Sequence, residues 1–193
     1  MAESLSLLNH DSKVSIIIIH NNSCLWVAAY IERCVTSVIK QTYRNFECVI
    51  VDDASQDDSI IRCEQLIETY TGSVKFRVLH HQQNRGLSAA RNTGIDAVTG
   101  DYLFFLDSDD EISPDCIEKL IGPVLNDATI EMVKGTPLHK SEDGSIIHSY
   151  QWLRLQENDF TSSSAVNVSI VQTALPLCEQ CICLRLLCQE VNI

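Results

Sequence analysis

Asp107 and Asp109 stand one residue apart in "FFLDSDDEISPD", directly after an apolar run. Two carboxylates at this spacing face a common point if the chain turns there. A hard divalent cation takes such oxygens and keeps open positions for a diphosphate. The alternative is a solvated turn whose carboxylates cap the following helix. Asp53 closes "ECVIVDD". At a strand end its carboxylate can accept the imide N–H of a pyrimidine base, or cap the next helix. Arg91, in "NRGLSAARNTG", lies one turn into a helix that follows a glycine. That position suits a diphosphate contact, and equally an ordinary exposed arginine. Taken singly, each residue leaves both readings open.

The elements that must position these residues follow from hydrophobic periodicity. Val14 to Ile19 is a continuous β-branched run, as expected of a strand covered on both faces. From Val27 to Ile39 the apolar residues recur at helical spacing, and the helix stops near Gln41. "NFECVIVDD", "VKFRVLHH" and "DYLFFLD" read as three further strands. Helices are expected over Asp57–Tyr70 and Leu87–Val98, the latter ending at Gly100 as a left-handed C-cap, and Pro114 opens another. Strand and helix thus alternate four times, which predicts an α/β fold with a mostly parallel sheet flanked by helices. In such folds ligands bind beyond the carboxyl ends of the strands. Three of the four strands end in polar groups there, at Asp52-Asp53, His80-His81 and Asp107 to Asp110.

The ordered set "KQTYRNFECVIVDDASQDDS", "NRGLSAARNTGIDAVTGDYLFFLDSDD" and a Pro-Asp helix start resembles the family 2 glycosyltransferases, from about Lys13 to about Ile121. The resemblance implies a GT-A (Rossmann-like) fold that binds a nucleotide diphosphate sugar. It also implies sugar transfer with inversion to an acceptor hydroxyl of a saccharide or lipid-linked molecule. By the same resemblance Asp53 matches the carboxylate that reads the base, commonly uracil. Asp107 matches the residue near the ribose, Asp109 the ligand of Mn²⁺ or Mg²⁺, and Arg91 a motif arginine close to the nucleotide.

One segment departs from that pattern. The family reads like "VSIIIPVYN" before its first helix, whereas this chain has "IIIIHNNSCLW", about four residues longer and without the Pro-Val-Tyr. His-Asn-Asn-Ser-Cys-Leu-Trp can be encoded as CAT AAT AAT TCC TGT TTA TGG, and one base further the same string reads Ile-Ile-Ile-Pro-Val-Tyr. A local frame shift and a genuine insertion that remodels the base pocket both account for it.

The expected division is a nucleotide-sugar-binding unit over 13–150 and an atypical cysteine-rich tail over 151–193, truncated or out of frame relative to the family's acceptor half. "SEDGSIIHSY" carries an Asp-Gly hairpin signal. Glu142-Asp143 falls in that turn and is not assigned as the acceptor's general base, so the catalytic residue stays unknown. These departures leave a second reading, a non-catalytic relative that at most binds nucleotide. Cys178, Cys181, Cys183 and Cys188 lack the paired spacing of a structural zinc site.

Composition sets the outer limits. A net charge of −12 argues against general affinity for nucleic acid, because phosphate neutralisation needs a basic face. No stretch approaches the roughly 20 apolar residues of a membrane span, and residues 1–12 lack the pattern of a secretory leader. The cytoplasm is the expected compartment, with peripheral membrane attachment left open. Cys24, Cys34, Cys48, Cys63 and Cys116 are scattered singly and read as small buried hydrophobes.

Overall fold

The computed structural model describes residues 12–21, 30–127, 129–130 and 132–135, together with the backbone of 28–29, 138–140, 146–149, 165–168, 172–173 and 181–184. Most of the HNNSCLW segment lies outside the described residues, as do Glu142, Asp143, Cys24, Cys178 and Cys188.

Strands β1 (Val14–His20) and β2 (Phe46–Asp52) are buried along their whole length. Burying each Ile or Val fully contributes roughly 1.5–3 kcal/mol, so these two runs dominate the core. Strands β3 (Lys75–His80) and β4 (Tyr102–Asp107) complete a parallel sheet in the order β3-β2-β1-β4. The register pairs His20 with Asp52, Asp52 with His80, and Ile19 with Asp107, so the polar strand ends come into line along one edge.

Side chains alternate across this sheet and face two helical layers. Val14, Ile16, Ile18, Tyr102, Phe104 and Leu106 pack against α1 (Ala28–Ile39), α2 (Ser59–Glu68) and α4 (Cys116–Asn126). Ile17, Ile19, Val49, Val51 and Leu103 pack against α3 (Leu87–Ala97), the only helix in that cluster. Cys34, Cys48, Cys63 and Cys116 are buried free thiols, as their scattered spacing led us to expect.

The short β5 (Glu111–Ile112) follows the acidic turn, and β6 (Met132–Gly135), β7 (Leu138–Lys140), β8 (Ile146–Ser149), β9 (Ala165–Val168), β10 (Gln172–Thr173) and β11 (Cys181–Leu184) come after α4. Strand β11 runs antiparallel between β4 and β6, and β9 lies beyond β6. Strands β7 and β8 pair antiparallel across the Asp-Gly signal, in a second sheet with β5 and β10.

Two local expectations are corrected. Helix α3 ends at Ala97, and Val98 follows in extended geometry, so Gly100 is not its left-handed cap. A Cβ at Gly100 would meet Ser15 Oγ at 2.5 Å and the Lys13 carbonyl oxygen at 2.9 Å, so close approach to β1 is what requires glycine there. Helix α4 opens at Cys116 and not at Pro114. A tight turn precedes it, in which the Ser113 carbonyl accepts the Cys116 N–H at 2.9 Å and Gln41 Nε2–H at 2.7 Å, while the Pro114 carbonyl accepts the Thr42 N–H at 2.8 Å.

Candidate active site

The strand order reverses direction between β1 and β4, and a crevice opens where the chain leaves such neighbours in opposite senses. Side-chain parity sorts the polar groups at this edge into two sets. On the α3 side lie Asp53, His81, Arg91 and Asp107, with Asp109 in the turn just beyond β4. On the α2 side lie His20, Asp52, His80 and Ser108. Three of the four sequence-derived site residues, Asp53, Asp107 and Arg91, fall in the same set, and Asp109 stands in the turn directly after Asp107.

Asp107 and Asp109 are half-buried, while Ser108 and Asp110 between and beyond them are buried. Strand β4 ends at Asp107, two residues beyond Phe105, and Ser108 and Asp109 form a turn. The Asp110 N–H closes the turn on the Asp107 carbonyl at 3.0 Å. Burial pushes the Asp109 carboxyl up, its own N–H opposes that, and the Asp107 charge pushes it up again. Such a pair disfavours holding two negative charges unaided and favours a cation.

The donor set fits Mg²⁺ or Mn²⁺, which take one or two carboxylates and complete their shells with water and phosphate oxygens. Among the described residues no group of three or more His, Cys, Asp or Glu could hold a metal.

Arg91 sits on α3 with its guanidinium carbon 5.9 Å from the centroid of the Phe105 ring. Phe105 is on the same strand face as Asp107. The Arg91 Nε–H is buried and has no hydrogen-bond partner. A guanidinium held on a ring face with an unused donor can receive an anionic oxygen.

Asp53 is fully buried. Its Oδ1 accepts the Arg85 N–H at 2.8 Å and His81 Nδ1–H at 2.7 Å, and its Oδ2 accepts the Gly86 N–H at 2.8 Å. Burial works to raise this carboxyl, but the Arg85 N–H, His81 and the Gly86 N–H outweigh it and hold it below the usual range. His81 is fixed at its far end by Thr93 Oγ1 on α3, at 2.9 Å. Asp53 therefore ties the loop before α3 to the end of β2. A carboxylate offers about four acceptor positions, so one on Oδ2 is left for a further donor.

The next residue, Ala54, has φ of 60°, a left-handed conformation that costs an L-residue roughly 1–2 kcal/mol. Strain of this kind directly after the carboxylate pins the direction in which the chain leaves the sheet.

On the α2 side, buried His20 bridges Ser108 and Ser59, with Nδ1 3.0 Å from Ser108 Oγ and Nε2 2.6 Å from Ser59 Oγ. Ser59 Oγ–H in turn donates to Asp57 Oδ1. Burial pushes the imidazole down, against the nearby charges of Asp52 and Asp57, so it is held neutral. His80 spans Asp52 Oδ2 at 3.2 Å and Glu64 Oε1 at 3.1 Å.

His81 and Ser108 were read only as parts of polar strand ends, and His20 was assigned no role of its own. The visible signal was a histidine at the end of an apolar strand, where burial forces each ring nitrogen to find a partner.

The family model for glycosyl transferase family 2 matches residues 15–173. Glycosyltransferase GlyA of Streptococcus pneumoniae is 41% identical over 116 residues, covering 60% of this chain and 15% of its own length. The S. aureus TarS fragment 1–349 in complex with UDP-GlcNAc superposes with a TM-score of 0.54 at 25% identity, over 69% of this chain and 36% of that one. The mannosyltransferase PcManGT from Pyrobaculum calidifontis, in complex with GDP-Man and Mn²⁺, superposes with a TM-score of 0.58 at 23% identity, over 67% of this chain and 36% of its own. The chain thus spans only a minor part of these relatives. With a family match across most of its length and the GT-A fold of its structural neighbours, this chain belongs to glycosyl transferase family 2.

Proposed function

We propose that residues 13–150 bind a nucleoside diphosphate sugar, a UDP-sugar, for transfer to an acceptor hydroxyl with inversion. The acceptor is a saccharide or a lipid-linked molecule, and the site of action is the cytoplasm or the membrane surface facing it. Among the described residues no helix is long and apolar enough to cross a membrane. Residues 151–193 form the remainder of the chain under this division.

The observation that carries the reading is the half-buried Asp107–Asp109 turn at the end of β4, with the unpartnered Arg91 Nε–H held near Phe105 on the same strand face as Asp107. The likeness to TarS bound to UDP-GlcNAc and to PcManGT bound to GDP-Man and Mn²⁺ supports the ligand class. Asp109 and Asp107 would hold Mn²⁺ or Mg²⁺. When bound, the cation neutralises the diphosphate as it departs. Asp107 lies nearest the end of β4 and takes the ribose side. Arg91 offers its free Nε–H to a phosphate oxygen, and the rigid Phe105 face keeps its side chain from swinging away. Asp53 fixes Arg85 and Gly86 and keeps one acceptor position for a base imide. The acceptor's general base is assigned to no residue.

The test is turnover. UDP-sugars are incubated with the purified chain and Mn²⁺, and UDP release and the anomer of the product are followed by NMR. Asp109→Ala should lower the rate by about 100-fold or more, as expected for loss of a major electrostatic element. UDP binding without any sugar release by the wild type would overturn the transferase proposal in favour of a non-catalytic nucleotide binder.

A further inference from the structure

His20 ends β1 at the crevice and opens the segment that departs from the family pattern, and its ring is fully buried. The donors along its hydrogen-bond chain can be assigned from one end. Asp57 accepts only, so the Ser59 hydroxyl must donate to it. The Ser59 oxygen is then left to receive His20 Nε2–H at 2.6 Å. In the neutral ring Nδ1 carries a lone pair, and it accepts the Ser108 hydroxyl at 3.0 Å. The chain Ser108, His20, Ser59, Asp57 is therefore directed throughout, with both ring nitrogens of His20 satisfied.

Ser108 lies between Asp107 and Asp109. Its N–H also donates to the Ile19 carbonyl at 3.2 Å, one residue before His20, so both backbone and side chain of Ser108 are held to the end of β1. Ser108 is buried between the half-buried Asp107 and Asp109, so holding its hydroxyl inward fixes the turn that carries the two carboxylates.

We infer that His20 is a positioning residue: by pinning Ser108 to the α2 side, it holds the Asp107 and Asp109 carboxylates in register for a divalent cation. This rests on the assignment of those two carboxylates as the metal pair. An apolar residue at 20 would leave Ser108 without its inward partner, and the turn would sample conformations in which the carboxylates diverge. Partners that orient metal ligands typically contribute 10–100-fold in affinity.

The experiment compares wild type, His20→Leu, Ser108→Ala and Glu47→Gln. The last perturbs the opposite end of the same sheet and reports general destabilisation. Two readouts are taken, Mn²⁺ affinity in the presence of UDP, by electron paramagnetic resonance, and amide hydrogen exchange at Ser108, Asp109 and Asp110. The expected result is a Mn²⁺ affinity at least about tenfold weaker in His20→Leu and Ser108→Ala. Faster exchange at the three amides should accompany it, with neither change in Glu47→Gln. Ser108→Ala breaks the same link from the other side and decides the matter if His20→Leu does not fold. Unchanged Mn²⁺ affinity in both variants, against a wild type that binds, would overturn the inference. If the wild type binds no Mn²⁺, the metal assignment falls, and exchange alone decides: faster exchange confined to the turn supports the pinning, and unchanged exchange overturns it.

Discussion

Gln41 Oε1 accepts the N–H of Ile117 at 2.9 Å, so a side chain from the α1–β2 connection caps the first turn of α4. The Gln41 amide also donates to the carbonyls of Ser37 at 3.1 Å and Ser113 at 2.7 Å. Gln41 is completely buried, and this one residue fastens the segment that follows the acidic turn to the α1 layer. Gln41→Leu should lower stability by about 3 kcal/mol, because the groups it serves are left without partners in the interior. Urea unfolding checks this. A loss below about 1 kcal/mol would mean that the cap is dispensable.

Glu47 anchors the other end of the sheet. It accepts the Thr99 N–H at 2.7 Å and the Ser15 hydroxyl at 3.0 Å, and pairs with Lys13 at 3.0 Å. Burial alone would raise its carboxyl, but the Thr99 N–H, Lys13 and the Thr99 and Ser15 hydroxyls bring it from 4.5 down to about 2. A depressed carboxylate contributes stability that is full above its unfolded value and lost as the pH falls through the folded one. Wild type should exceed Glu47→Gln by about 2–3 kcal/mol at neutral pH. That margin should shrink as the pH drops from 4.5 towards 2. A margin independent of pH across this window would contradict the assignment.

Gly100 carries the close approach of the α3–β4 turn to β1. Gly100→Ala should cost about 2–3 kcal/mol, since a methyl group there meets the backbone of Lys13 and Ser15, which cannot swing aside. Thermal melts of the variant are the check, and an unchanged midpoint would show that the turn relaxes freely.

Much of this was legible in the sequence for a definite physical reason. Ile16 to Ile19 and Cys48 to Val51 are buried on both faces, so their apolar runs are unbroken and the strands could be placed from pattern alone. Asp53, Asp107 and Asp109 were visible because carboxylates that close such runs interrupt them abruptly. The placing of Asp53 and Asp107 with Arg91 on one side of the sheet was not visible, since it depends on pairing register between β1, β2 and β4. The roles of Gln41 and His20 were hidden for a related reason. Both bond across long sequence separations, Gln41 to Ile117 and His20 to Ser108, and no local spacing records such contacts. The Gly100 reading failed because a glycine beyond a helix signals a cap only when the chain turns left-handed there. Here the demand came from a neighbouring strand.

The central claim is that the Asp107–Asp109 turn makes nucleotide binding depend on a divalent cation. Titration calorimetry of UDP into the purified chain, with Mn²⁺ and with chelator, tests it most directly. Binding with Mn²⁺ should weaken by at least about tenfold with chelator or in Asp109→Ala, in which the two conditions become alike. UDP affinity that is the same with and without Mn²⁺ in the wild type, or no UDP binding under either condition, would contradict it.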